Sequence, residues 1–204
     1  QDSDPGVRDN DAEGTLVFAP SGFTLTNNVL SNPPPALIVP FSEPQVAGSE
    51  FPIHIAAYGQ TANDPTCGVI DSYTGPKNLK FWMDDIHPVG GTLVATIDPV
   101  GIPIDEAAAA YQPGTFATGN AVVTGKYKDA GRRQFSVNAD SLTHPDLPNG
   151  IRGATAGFVS KPDHFVLSNI EDGAGNPNPG ASDANGGAFV AAGEAFAVTV
   201  TALD

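Results

Sequence analysis

Phe23-Thr-Leu25-Thr-Asn27, followed by Ala47-Gly48 and Phe51-Pro-Ile53-His-Ile55-Ala-Ala57, decides the fold because it comes back. The second occurrence reads Phe165-Val-Leu167-Ser-Asn169, then Ala192-Gly193 and Phe196-Ala-Val198-Thr-Val200-Thr-Ala202. Phe165, Leu167 and Asn169 each stand 142 residues after their counterparts Phe23, Leu25 and Asn27. Gly193, Phe196 and Ala202 stand 145 residues after Gly48, Phe51 and Ala57. One three-residue length difference in the intervening loop explains the step. Self-similarity at a fixed spacing is the mark of a duplicated unit. Inside the unit, Phe51, Ile53, Ile55 and Ala57 share one side of a strand, and Pro52, His54, Ala56 and Tyr58 share the other. That alternation predicts a sheet with one face on a core and one towards solvent.

Working outward, Phe18-Ala-Pro20 leads into the first copy as Phe158-Val-Ser-Lys-Pro162 leads into the second. The chain is expected to divide into an acidic linker over 1–13, a complete module over 14–155, and the opening of a second module over 156–204. The second copy stops just after the match to Ala57, where the first runs on. Gln1 is neither a Met nor the start of an apolar signal core. Both ends read as cuts through a longer, tandemly repeated protein.

Between the two copies the strand pattern continues. Thr15 to Phe18 reads as a strand, and Ser31-Asn-Pro-Pro-Pro35 as a stiff extended loop. Leu79, Phe81 and Met83 alternate with Lys80 and Trp82. Gly90-Gly91 signals a hairpin into Thr92–Ile97, and Thr115–Tyr127 continues the strands. Lys128-Asp-Ala-Gly131 is a tight turn before alternating Phe135, Val137 and Ala139. A last strand is expected over about 154–158. Asp105–Tyr111, with four alanines, supplies one or two helical turns at most. Many short strands with turn signals between them predict an all-β, immunoglobulin-like β-sandwich. Tyr127, Asp129 and Gly131 fit the corner of such domains, where a Tyr hydroxyl bonds back to the backbone.

Composition narrows the function. Twenty-three acidic residues against nine basic ones give a net charge of −14. That balance disfavours nucleic acid and anionic lipid as partners. The 23 glycines and 19 prolines suit turns rather than helices. No run of 18 apolar residues is present to form a membrane-spanning helix.

With these residues assembled, the chain resembles the DUF6701 family, the C-terminal region of proteins like the MSHA pilus biogenesis protein MshQ. The matching stretches are Gly14-Thr-Leu-Val-Phe-Ala-Pro-Ser-Gly-Phe23, Cys67-Gly-Val-Ile-Asp-Ser-Tyr-Thr-Gly75, Lys77-Asn-Leu-Lys-Phe-Trp82, Thr115-Phe-Ala-Thr-Gly119, Tyr127-Lys-Asp-Ala-Gly131 and Phe158-Val-Ser-Lys-Pro-Asp-His-Phe165. The resemblance implies a large exported bacterial protein at the cell surface or a pilus, built of repeated immunoglobulin-like modules. It implies no catalytic residue.

The residues agree with a non-catalytic reading. His54, His87, His144 and His164 are scattered. Asp84-Asp85-Ile-His87, His144-Pro-Asp146 and Asp163-His164 carry metal-ligand residue types. No H-E-x-x-H, paired CxxC or G-x-S-x-G accompanies them, and the bland reading is turn-side polar residues. Asp9, Asp11 and Glu13 resemble half a calcium loop, but the twelfth position from Asp9 is Pro20 rather than Glu. A solvated acidic linker is the simpler reading, and no other cofactor is suggested. Cys67, the single cysteine, lies in an expected loop and is either a buried thiol or bridged to a partner. Trp82 reads more readily as core than as a sugar platform.

The expected function is a structural or adhesive module of an exported, extracellular surface protein, with other modules of its parent as partners. A fibre subunit completed by strand donation between chains is one alternative. A carbohydrate-binding module centred on Trp82 is another.

Overall fold

The computed structural model describes residues 22–30, 41, 44–61, 64–91, 93–139, 150–181 and 185–204, without the side chains of 60–67. The expected strand at Thr15–Phe18, the Asp9, Asp11 and Glu13 segment, the proline loop at 31–35 and His144–Asp146 lie outside them. In chain order the strands are β1 (Gly22–Thr26), β2 (Gln45–Val46), β3 (Glu50–Thr61), β4 (Asp64–Val69), β5 (Gly75–His87), β6 (Ala95–Ile97) and β7 (Val100–Ile102). There follow β8 (Tyr111–Phe116), β9 (Asn120–Lys126), β10 (Gly131–Ala139), β11 (Ile151–Ala154), β12 (Phe158–Lys161), β13 (His164–Asp172) and β14 (Phe196–Leu203). The alanine stretch makes one 3-10 turn, Glu106–Ala108, capped by Asp105, whose carboxylate accepts from the Ala107 N–H at 2.9 Å.

Two sheets carry the fold. The first runs β1-β3-β9-β6-β7, with β4 also on β3; the second runs β2-β12-β10-β5-β8, with β11 also on β10. Every pairing is antiparallel except β2 beside β12. This is the expected all-β, immunoglobulin-like sandwich. Phe51, Ile53, Ile55 and Ala57 face Leu79, Phe81, Met83, Phe135 and Val137 across one contiguous core. Aromatic rings tie the two sheets together. The Phe51 ring lies 5.4 Å from Phe41, 6.0 Å from Phe135 and 5.6 Å from Phe158.

The chain changes sheets more often than the turn signals suggest. Gly90-Gly91 does not close a hairpin: β5 belongs to the second sheet and β6 to the first. Thr118 and Gly119 do make a tight turn, with φ of 45° and 78°, closed by Ala117 and Asn120 bonding in both directions. Yet β8 leaves into the second sheet and β9 into the first. Turn chemistry sets local reversal, whereas sheet membership depends on which face the next apolar residues must bury.

Three further expectations change. Cys67 sits in β4, opposite Gln60, and not in a loop. The outer side of β3 is not all solvent-facing, because Ala56 is buried in a small cluster with Leu30 and Val69. The strand expected near 154–158 is instead β11 and β12, both paired to β10. Thr155 bridges the break: its N–H donates to the Phe135 carbonyl at 2.8 Å, and its Oγ1 accepts from the Phe135 N–H at 3.0 Å. The expected boundary at 155/156 thus falls between two strands that share a neighbour. β13 and β14 pair with each other in a sheet of their own.

Gly153 lets β11 of the second sheet pass close to β1 of the first. A Cβ there would lie 2.3 Å from the Phe23 carbonyl oxygen. Backbone cannot yield as a flexible side chain does, so Gly153→Ala is expected to lose about 1–3 kcal/mol or more by overpacking. Chemical denaturation checks this, and an unchanged midpoint would contradict the close approach.

Candidate functional site

The strongest polar constellation is buried at one end of the sandwich. Alternation along β10 turns Arg133 inward with Phe135 and Val137, and its side chain is fully covered. Its Nη2 donates to the Tyr127 hydroxyl at 2.8 Å, and its Nη1 donates to the carbonyls of Arg132 at 3.0 Å and His87 at 3.1 Å. The guanidinium also lies 4.9 Å from the Tyr127 ring centre. Nε stands 3.1 Å from Asp85 Oδ1, an ion pair off the line of a good hydrogen bond. The other Asp85 oxygen accepts from the Gly91 N–H at 2.9 Å. A Cβ at Gly91 would lie within 3.3 Å of Arg133, Asp85 and Tyr127, so glycine closes the cluster.

This is the corner expected at Tyr127, with a different partner: the hydroxyl accepts from a guanidinium. Sequence reading missed Arg133. The available signal was an Arg in phase with Phe135 and Val137 on an alternating strand. A fully covered Arg held by a carboxylate charge, a phenol and backbone carbonyls is a structural tie, sealed from solvent.

The suspected Asp84-Asp85-Ile-His87 group is taken apart by the same alternation. Asp85 points to Arg133, while Asp84 lies on the opposite face and accepts from the Ser136 hydroxyl at 2.9 Å. The His87 side chain is exposed, and its carbonyl serves Arg133. His164 stands 2.9 Å from the Asp163 carboxylate, and both side chains are exposed. His54 stands in β3 opposite Thr26 and Val122. Among the described residues, no group of three or more His, Cys, Asp or Glu could hold a metal ion. The thiol of Cys67 lies outside the described side chains.

Trp82 overturns the core reading. It faces away from Leu79, Phe81 and Met83, half-buried on the outer face of the second sheet. Arg152 lies 5.9 Å from its ring centre and donates to Glu106 at 2.7 Å. Asn138 donates to the same Glu106 oxygen at 2.7 Å. Lys80 stands 4.5 Å over the ring of Tyr111 on the neighbouring strand. Two aromatic rings, each with a cation beside it, therefore share the outer face of the second sheet with Asp84, while Ser136 and Asn138 on that face are covered.

An open groove of about 500 Å³ lies across β3, β9 and β6, between Glu50, Thr96, Asp98, Thr124, Lys126 and Lys128. Its two acids and two bases balance. Asp98, at φ 48°, is committed to the Thr124 N–H at 2.6 Å.

After β13 the chain turns on Asp172. Its carboxylate accepts from the Asn176 side chain at 2.9 Å and from the N–H groups of Asn176 at 2.8 Å and Ala174 at 2.9 Å. These bonds, the Asn176 side chain foremost, hold its pKa below the ordinary 3.8. A lowered carboxyl pKa means the charged form favours the turn: its contribution is present above the ordinary value and lost as pH falls through the lowered one. In an NMR titration the Asn176 amide is expected to move with a midpoint below the ordinary 3.8; a midpoint above that would contradict the turn.

No curated protein and no solved structure matches the chain. Residues 6–151 match the family described as a domain of unknown function (DUF6701), first Ig-like domain. The match spans more than half of the 204 residues and takes in β1 to β10 of the two-sheet sandwich, while β12 and nearly all of β11 lie beyond its end. The chain therefore belongs to the DUF6701 family, through its first Ig-like domain.

Proposed function

We propose that this chain is a non-catalytic structural module of a large exported bacterial surface or pilus-associated protein, in which sandwiches follow one another as a stiff stalk. The observation that carries the reading is the lack of slack after the first sandwich. Only Pro162 and Asp163 separate β12 from β13. Lys161 accepts from the Ala47 N–H at 2.8 Å, and Asp163 donates its N–H to Leu203 at 2.8 Å. A proline in a two-residue link between paired strands restricts swivelling, unlike a glycine-rich linker. The net charge of −14 keeps neighbouring copies apart in solution. The partners in this reading are the other modules of the parent protein.

Labelling intact cells of the source with antibody raised against the first sandwich tests the location. Labelling without permeabilisation is expected. Labelling only after the cells are opened would refute a surface role.

The position of Trp82 favours a second reading, a carbohydrate-binding face. Tyr111, Lys80 and Asp84 would provide stacking and polar contacts beside it. Glycan-array binding that disappears in Trp82→Ala, with an unchanged melting temperature, would establish it; absence of glycan binding by the intact chain removes it.

A further inference from the structure

The β13–β14 pair repeats the β1–β3 pair residue for residue. Phe165 faces Ala202, Leu167 faces Val200 and Ser168 faces Thr199. In the first sandwich Phe23 faces Ala57, Leu25 faces Ile55 and Thr26 faces His54. These are the positions related by the sequence repeat, so the duplication holds at the level of strand register. Burial does not follow. Phe23, Leu25, Phe51 and Ile55 are at most 7% exposed, whereas Phe165, Leu167, Phe196 and Val200 are 56–64% exposed. A contiguous apolar face of this kind marks a surface that another element covers.

We propose that β13 and β14 are the first two strands of a second sandwich, covered by one occupant: an aromatic-bearing antiparallel sheet supplied by polypeptide continuous with Asp204. The first sandwich identifies the occupant. There Phe23 packs on Phe116, and Phe51 packs on Phe135 and Phe158, all three from the second sheet. That sheet's main strands, β5, β8, β10 and β12, all follow β3 in sequence. The cover for β13–β14 therefore comes from sequence after β14, on the same plan. A strand also joins the free edge of β14. β9 pairs along β3 over Glu50–Ala56, which corresponds to Ala195–Thr201. An unpaired strand edge takes such a strand readily. A second copy fits poorly as occupant, because its own aromatic sheet is already buried against its own β1 and β3.

Leu167→Cys and Val200→Cys test this, with Thr199→Cys on the opposite face as control. Maleimide labelling is read peptide by peptide, so Cys67 does not interfere. It compares residues 1–204 with the natural polypeptide, each across a dilution series. The two face positions are expected to label about 100-fold more slowly in the natural polypeptide, as burial in a locally stable unit requires, and rapidly in residues 1–204. Equal labelling in both overturns the proposal, as does a natural polypeptide ending at Asp204. Protection of residues 1–204 that is lost on dilution would make a second copy the occupant, and also overturns it. Hydrogen exchange over Ala195–Thr201 in the unsubstituted proteins gives the same comparison should a cysteine variant fail to fold. None of this depends on where the protein works, so its failure and failure of the surface labelling are separate results.

Discussion

Arg133→Ala is expected to destabilise the chain by about 3–5 kcal/mol, the usual consequence of removing one partner from a buried ion pair. The side chains of Arg133 and Asp85 are 0% and 7% exposed. Without the guanidinium, Asp85 keeps its Gly91 hydrogen bond but loses its countercharge, and Tyr127 and His87 lose a donor. At about 2–4 °C per kcal/mol for a chain of this size, the melting temperature should fall by roughly 6–20 °C. Tyr127→Phe should cost less, about 1–3 kcal/mol, since it leaves one guanidinium donor unsatisfied. Replacing Arg133 and Asp85 together by apolar residues of similar volume should recover much of the loss. Thermal melts of the three variants decide it. A loss under about 1 kcal/mol for Arg133→Ala, the range of an exposed pair, would show that the cluster is not sealed from water.

The second large effect is a contrast between repeat-equivalent residues. Phe51→Ala is expected to cost about 3–5 kcal/mol, because it empties a site ringed by Phe41, Phe135 and Phe158. Phe196→Ala, 145 positions later at the same place in the repeat, should fall within about 0.5 kcal/mol in residues 1–204. Phe196 is 56% exposed there, against 7% for Phe51. Denaturant unfolding of the two variants measures both. Equal losses would mean that β14 is buried in this chain after all.

Period-two alternation carried most of the architecture. Phe51 to Ala57 and Leu79 to Met83 point inward as their pattern requires. The duplication was visible in spacing alone and recurs in the pairing of β13 with β14. What alternation does not encode is sheet membership. Gly90-Gly91 reads the same whether the next strand turns back beside β5 or crosses to the first sheet. Nor does one aromatic declare its side. Trp82 alternates with Phe81 and Met83, so its outward placement followed from the same pattern that placed them inward, and the preference of tryptophan for cores pulled the other way. Arg133 escaped for the opposite reason. Arginine is rarely fully buried, and the partners that permit it here, Asp85 and Tyr127, come from separate stretches of chain.

The most direct measurement is force extension of the natural polypeptide, held at its ends and pulled until its modules unfold. A stalk of tandem sandwiches should give recurring steps of about 140 residues each, roughly 450–500 Å of extended chain less the folded length. A single step, or irregular lengths with no common increment, would contradict the proposal that this sandwich is one link of a repeated structural array.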